Sequence, residues 1–146
     1  MVFIDMGIHL QSYLGDQTRA AILGGGTRAQ RDLLATIKAS YLELEAAIKP
    51  GASAKEIYAI ALKNLERKGW RKFFVHHISH GLGLGNDLPR IDSTSDDVIQ
   101  VGDTLSCEPG VYVPGIGGAR IENMLYVTEN GAEPLTKSPI NIVLNV

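Results

Sequence analysis

An α+β domain is expected from this sequence, with helices covering one face of a mainly antiparallel sheet. Three observations carry the expectation. The chain opens on short apolar, glycine-punctuated runs that stop at Gly24-Gly25-Gly26. From Ala29 to about Gly69 the apolar residues recur with a helical period. Beyond Trp70 the pattern returns to strand-like runs broken by glycine and proline.

Val2–Ile4 and Leu10–Leu14 read as strands joined near Gly7, and Thr18–Leu23 as a third. The glycine run is a loop; it lacks the Lys-Ser/Thr that follows in a phosphate-binding loop. Leu33, Leu34, Ile37, Tyr41, Leu44 and Ile48 then fall on one helical face, and Lys49-Pro50-Gly51 ends that helix. Ser53 followed by Glu56 has the form of a capping box, in which the hydroxyl and the carboxylate satisfy free N–H groups of the first turn. Ile57, Ile60, Ala61 and Leu65 supply the buried stripe of this second helix, and Gly69 its stop. Phe73–Val75, Thr104–Cys107, Val111–Val113 and Ala119–Val127 are the remaining strand candidates. Glu129-Asn130-Gly131 suits a hairpin turn, because Asn-Gly accepts positive φ. Pro134 and Pro139 confine the last segments to sheet edges.

A chain of 146 residues fits one domain over positions 1–146, 45% apolar and 21% charged, as in an ordinary globular protein. The net charge of −2 and the absence of a basic block argue against a nucleic-acid partner; Arg67-Lys68 and Arg71-Lys72 read as a solvated helix end. No apolar run is long enough for a membrane span. Met1-Val2-Phe3-Ile4 meets Asp5, so no signal-peptide core is seen, and a cytoplasmic location is expected. Cys107, the single cysteine, cannot form an intrachain disulfide and reads as a buried structural thiol.

The chemistry-bearing residues are Asp5, Asp16, His80, Glu108 and Glu122. Singly, Asp5 reads as a strand cap, Asp16 as a turn residue and His80 as a structural histidine. Glu108 and Glu122 are harder to dismiss. Each interrupts an apolar strand, and a buried carboxylate costs several kcal/mol unless paired or metal-bound. Four carboxylates and one imidazole suit a pair of divalent cations such as Mn, Co, Fe or Zn. Two such cations can hold a hydroxide and polarise a carbonyl oxygen, which is amide hydrolysis.

The motifs stand as Asp5-Met6-Gly7, Tyr13-Leu14-Gly15-Asp16-Gln17-Thr18-Arg19, His76-His77-Ile78-Ser79-His80-Gly81-Leu82-Gly83, Glu108-Pro109-Gly110-Val111-Tyr112 and Arg120-Ile121-Glu122. In this order they resemble the catalytic domain of the pita-bread metallopeptidases. Pro114-Gly115-Ile116-Gly117-Gly118-Ala119-Arg120 is most similar to the proline-specific branch, aminopeptidase P and Xaa-Pro dipeptidase. The resemblance runs from Asp5 to about Thr136. It implies that Asp5 chelates one metal, Asp16 and Glu122 bridge two, and His80 and Glu108 complete the other, with Mn the first candidate. It also implies that Glu108 relays a proton, that His76 contacts the substrate or its tetrahedral intermediate, and that Arg120 supports a ligand carboxylate. The substrate implied is a small peptide containing proline. His77, on the opposite side of an extended segment, is expected to be structural.

Two departures accompany the resemblance. The family has a further histidine before a proline in the segment that here reads Leu84-Gly85-Asn86-Asp87-Leu88-Pro89, and Asn86 stands in its place. Asn123 likewise replaces an aspartate that often follows the last glutamate. The family fold has two similar halves, of which this chain matches the central hairpin and the second half. The first half and the separate N-terminal domain of the proline-specific members have no counterpart. The uncovered sheet face is therefore expected to be covered by a homo-oligomer or another partner. Two other readings stand beside the peptidase: a pita-bread binding or regulatory module, or a shortened inactive fragment, without turnover, and a creatinase-type C–N hydrolase.

Overall fold

The computed structural model describes residues 1–140 and 143–144, with the backbone alone described at Asn86, Val143 and Leu144. The chain begins with a long hairpin, β1 (Val2–Leu10) and β2 (Tyr13–Leu23). Its turn is Gln11-Ser12, with φ of 49° and 72°. Val2–Ile4 lies in β1, but the expected strand Leu10–Leu14 straddles the turn, Thr18–Leu23 is the far end of β2, and Gly7 pairs with Asp16 in mid-strand. Two successive positive φ values match the twist of a tight hairpin. Non-glycine residues in that role hid the turn from the sequence reading.

Helix α1 (Arg28–Ala47) is capped by Thr27, whose side chain accepts from the Gln30 backbone N–H while the Gln30 side chain accepts from the Thr27 N–H. All six residues of its expected stripe are buried. Helix α2 (Ala54–Arg67) starts after Ser53 as expected, but the Ser53 side chain makes no capping bond. The Ala54 N–H goes instead to the Asp97 carbonyl at 3.0 Å, and Ser53 forms a β-bridge with Val98. A tertiary partner thus holds the start of the helix, which no local side chain caps. Ile57, Ala61 and Leu65 are buried and Ile60 is half-buried. Gly69, at φ 71°, reverses the chain. Phe73–Val75 is not a strand: Arg71–Phe73 is a 3-10 turn, and Trp70, Phe73 and Phe74 pack their rings onto the core from it.

The second part of the chain forms β3 (Ser79–Leu82), β4 (Asn86–Ile91), β5 (Thr104–Cys107), β6 (Gly110–Val113), β7 (Gly117–Arg120), β8 (Asn123–Thr128), β9 (Gly131–Pro134) and β10 (Val143–Leu144). Strands β3 and β4 were not among the expected ones. A five-stranded antiparallel sheet has the order β4-β3-β5-β8-β9, β6 pairs with β7, and β10 runs parallel to β2 on the hairpin sheet. The expected strand Ala119–Val127 is broken at Ile121-Glu122. There the Glu122 N–H leaves its own sheet for the Thr18 carbonyl of β2 at 3.1 Å. The hairpin after β8 turns on Glu129-Asn130, with the positive φ carried by Gly131 rather than by Asn130. Pro134 lies on edge strand β9, as anticipated. The core joins the α1 and α2 stripes to Leu105, Cys107, Ile121, Leu125 and Val127. Cys107 is buried and unpaired. Among the described residues no helix is long and apolar enough to cross a membrane.

Candidate metal centre

The hairpin brings its two acids to one face. Asp5 pairs with Thr18 and Gly7 with Asp16, so Asp5, Gly7, Asp16 and Thr18 share a side and the acids stand diagonally across it. Strand β3 adds His80, the end of β5 adds Glu108, and the break between β7 and β8 adds Glu122. One donor atom from each of Asp16, His80 and Glu122 lies within 4.8 Å of the others, and the same holds for His77, His80 and Glu108. Residues from opposite ends of the chain therefore face a common point.

His80 Nδ1–H donates to the Gly81 carbonyl at 3.0 Å, which leaves the Nε2 lone pair inside the cluster. That atom lies 3.4 Å from Glu108 Oε1 and 3.8 Å from Asp16 Oδ2. The His80 N–H donates to Ser106 Oγ at 3.1 Å, and Ser106 Oγ donates to Glu108 Oε1 at 3.1 Å. Asp5 belongs to neither close group. Its carboxylate pairs with Arg120 and accepts from Thr18 Oγ1 at 3.0 Å. Thr18 Oγ1 is also 2.6 Å from Glu122 Oε2, so this buried hydroxyl ties the hairpin acid to the sheet acid. Arg120 Nη2 lies 3.7 Å from Glu122 Oε2 and 2.8 Å from Thr18 Oγ1.

Charge and burial set these groups apart. Burial pushes the Glu122 carboxyl up to about 8, and the neighbouring Glu108 charge adds to the shift. Asp16 is raised by burial and then by Asp5. Burial would raise Glu108 too, but the His77 hydrogen bond and the His77, His80 and Arg120 charges outweigh it and hold the carboxyl below its usual range. His76 is pushed down by burial. Its Nδ1 is tied to the His77 carbonyl at 2.6 Å, and its Nε2 stands 3.4 Å from the Tyr112 hydroxyl. A Cβ on Gly110 would sit 3.1 Å from His76 Nε2 and 3.0 Å from the Arg120 Cβ. The glycine of Glu-Pro-Gly is what lets these groups close together.

Two side chains absent from the expected site belong to this constellation. Thr18 is one, and only its place in Asp-Gln-Thr-Arg could have pointed to it. His77 is the other. It was expected to face away, yet its Nε2 is 3.0 Å from Glu108 Oε1, because the segment before β3 turns rather than running extended. Behind Glu122, the Asn123 amide accepts from Arg19 at 2.7 Å and donates to the Tyr41 hydroxyl at 2.7 Å. An ionised aspartate there could not donate the second bond. The Asn86 side chain, and the departure expected at it, lie outside the described part. Beside the cluster opens a cleft of about 400 Å³ walled by Tyr58, Phe74, His76, His77 and Arg90.

Residues 1–129 match the family model of metallopeptidase family M24. The chain belongs to that family. It is 36% identical over 139 residues to an Xaa-Pro dipeptidase of Pyrococcus furiosus, a match covering 94% of this chain and 40% of the relative. The prolidase of Pyrococcus horikoshii superposes with a TM-score of 0.91 at 34% identity, covering 95% of this chain and 40% of that one. An X-Pro aminopeptidase of Thermotoga maritima gives 0.90 at 28% identity, covering 97% of this chain and 41% of that one. The fold is thus pita-bread, and this M24 chain spans about 40% of the length of the relatives it matches. M24 peptidases depend on metal, and the imidazole-carboxylate groups described above suit one.

Proposed function

We propose that this M24 chain takes part in metal-dependent hydrolysis of the peptide bond preceding proline, of the Xaa-Pro dipeptidase or aminopeptidase type. The observation that carries the reading is the convergence of Asp16, His80, Glu108 and Glu122. Two nearly inaccessible glutamates and a half-buried aspartate surround one imidazole, with Arg120 the cation beside them. Burial first, and repulsion between neighbouring acids second, raise Glu122 and Asp16, and a divalent cation would relieve both costs.

The donor set of four carboxylates and one neutral imidazole fits two divalent ions, Mn first, with Asp5, Asp16, His80, Glu108 and Glu122 as ligands. When bound, such a pair supplies Lewis acidity and a more acidic water. The remaining chemistry falls to the chain. Glu108, kept ionised by its neighbours, accepts and returns the proton. His76, neutral and with Nε2 unblocked by its own backbone, faces the cleft where a peptide would lie. Arg120 holds Asp5 and lies beside Glu122, fixing both carboxylates. By sequence alone, Asn86 replaces the histidine of the family, an exchange that would remove a donor able to carry charge.

The test is metal analysis of the purified chain together with hydrolysis of an Xaa-Pro dipeptide, with and without added Mn. Two ions per chain and turnover lost by about 10²-fold or more in Glu108→Gln would uphold the reading. Bound metal without any turnover would favour the second reading, a pita-bread binding module, to which Asn86 lends weight. No bound metal would end the peptidase reading.

A further inference from the structure

We infer that His77 is a positioning residue for Glu108, donating through Nε2–H to Oε1 and so leaving Oε2 as the free oxygen of that carboxylate. The inference rests on the role given to Glu108 above. A string of contacts from the cleft to the cluster supports it. Asp92 Oδ2 holds Arg90 Nε at 2.8 Å, Arg90 Nη2 lies 3.4 Å from His77 Nδ1, and His77 Nε2 lies 3.0 Å from Glu108 Oε1. A guanidinium can only donate. Nδ1 must therefore accept, and in the neutral ring the proton sits on Nε2, pointed at the carboxylate.

The two oxygens of Glu108 are not equivalent. Oε1 receives His77 and the Ser106 hydroxyl at 3.1 Å, and faces His80 Nε2 at 3.4 Å. Among the described residues, the nearest cation to Oε2 is Arg120, whose Nε stands 3.9 Å away, beyond hydrogen-bond reach. A carboxylate anchored through one oxygen has a fixed rotamer, and its other oxygen is aimed. Ser106 alone would leave the group free to swivel about a single bond. The Nε2–H of His77, arriving from the segment before β3, supplies the second anchor from a different direction.

The experiment has two arms. Two-bond 1H–15N spectra of the labelled, metal-free chain report the tautomer of His77, with protonated Nε2 and bare Nδ1 expected; a protonated Nδ1 overturns the inference. Steady-state hydrolysis of an Xaa-Pro dipeptide by the Mn-loaded chain is then compared with two variants. His77→Ala should lower kcat by about 10–100-fold. His77→Gln, whose amide nitrogen reaches the place of Nε2, should recover most of that loss. Wild-type kcat in His77→Ala, or equal losses in both variants, overturns the proposal while leaving the peptidase reading intact. A wild-type chain without turnover defeats the peptidase reading, and the tautomer still decides the placement of His77.

Discussion

The hairpin and the five-stranded sheet each bring two acids to the centre, in opposite surroundings. On β1, Leu10 is 74% exposed and Ile4, Met6 and Ile8 are also open to solvent, while on β8 Leu125 is 0% exposed. The Asp5 side chain keeps 43% of its surface and borrows its charge partner, Arg120, from β7. Glu122 keeps 1% and relies on Thr18 and Arg120. Packing fixes the sheet acids and raises the energy of the Glu122 charge, whereas the open Asp5 is held by the Thr18 hydroxyl and the Arg120 guanidinium. A metal would thus meet one rigid wall and one more open wall, and on the rigid wall Glu122 is the acid whose charge burial leaves unrelieved.

Substitutions in the two walls should differ accordingly. Leu125→Ala, behind Glu122, should cost about 2–5 kcal/mol in urea unfolding. A loss near that expected for β1 would break the contrast. Next comes metal: at about a hundredfold excess of Mn over its dissociation constant, binding adds about 2.7 kcal/mol. Thermal melts should show that rise in the wild type and lose it in Glu122→Gln. Persistence of the full rise in that variant would place the ion elsewhere.

In the metal-free chain, pH should sharpen the comparison further. Glu122 has a folded-state value of about 8, raised by burial above the 4.5 of an ordinary glutamate. Between those values the folded chain holds more protons than the unfolded one, so its stability falls as pH rises. The contribution is full below about pH 4.5 and is lost as pH passes through about 8, with a slope of at most about 1.4 kcal/mol per pH unit. Asp16, also raised, adds the same sign from lower pH, while the lowered Glu108 acts oppositely and only below its usual range. Denaturation at a series of pH values should show the slope in the wild type and a flatter line in Glu122→Gln.

Thr18→Val keeps the shape but removes the hydroxyl shared by Asp5, Glu122 and Arg120, and should cost about 1–3 kcal/mol. Ile8→Ser, on the open face of β1, should stay within about 0.5 kcal/mol. A much larger loss there would mean that something covers that face in solution.

Much of this was legible in the chain. The α1 stripe was readable because a buried helical face repeats locally and each residue reports on its neighbours. Thr104–Cys107 was readable as an apolar run closed by Glu-Pro-Gly. Ser53 marked the start of α2, but the bond that satisfies its first turn comes from Asp97, far along the chain. The aromatic run at Phe73 has strand composition and became a plug, because burial of the rings did not require a ladder.

Taken by itself, the sequence determined which donor groups exist, their order, and the helices and several of the strands that carry them, since residue identity and local periodicity are written along the chain. Tertiary structure alone decided that Asp5 goes to Arg120, that Glu122 leaves its sheet to meet Thr18, and that His77 turns inward to Glu108. Those outcomes depend on contacts between residues separated by up to 115 positions, and no local pattern encodes the direction of a side chain across such a loop.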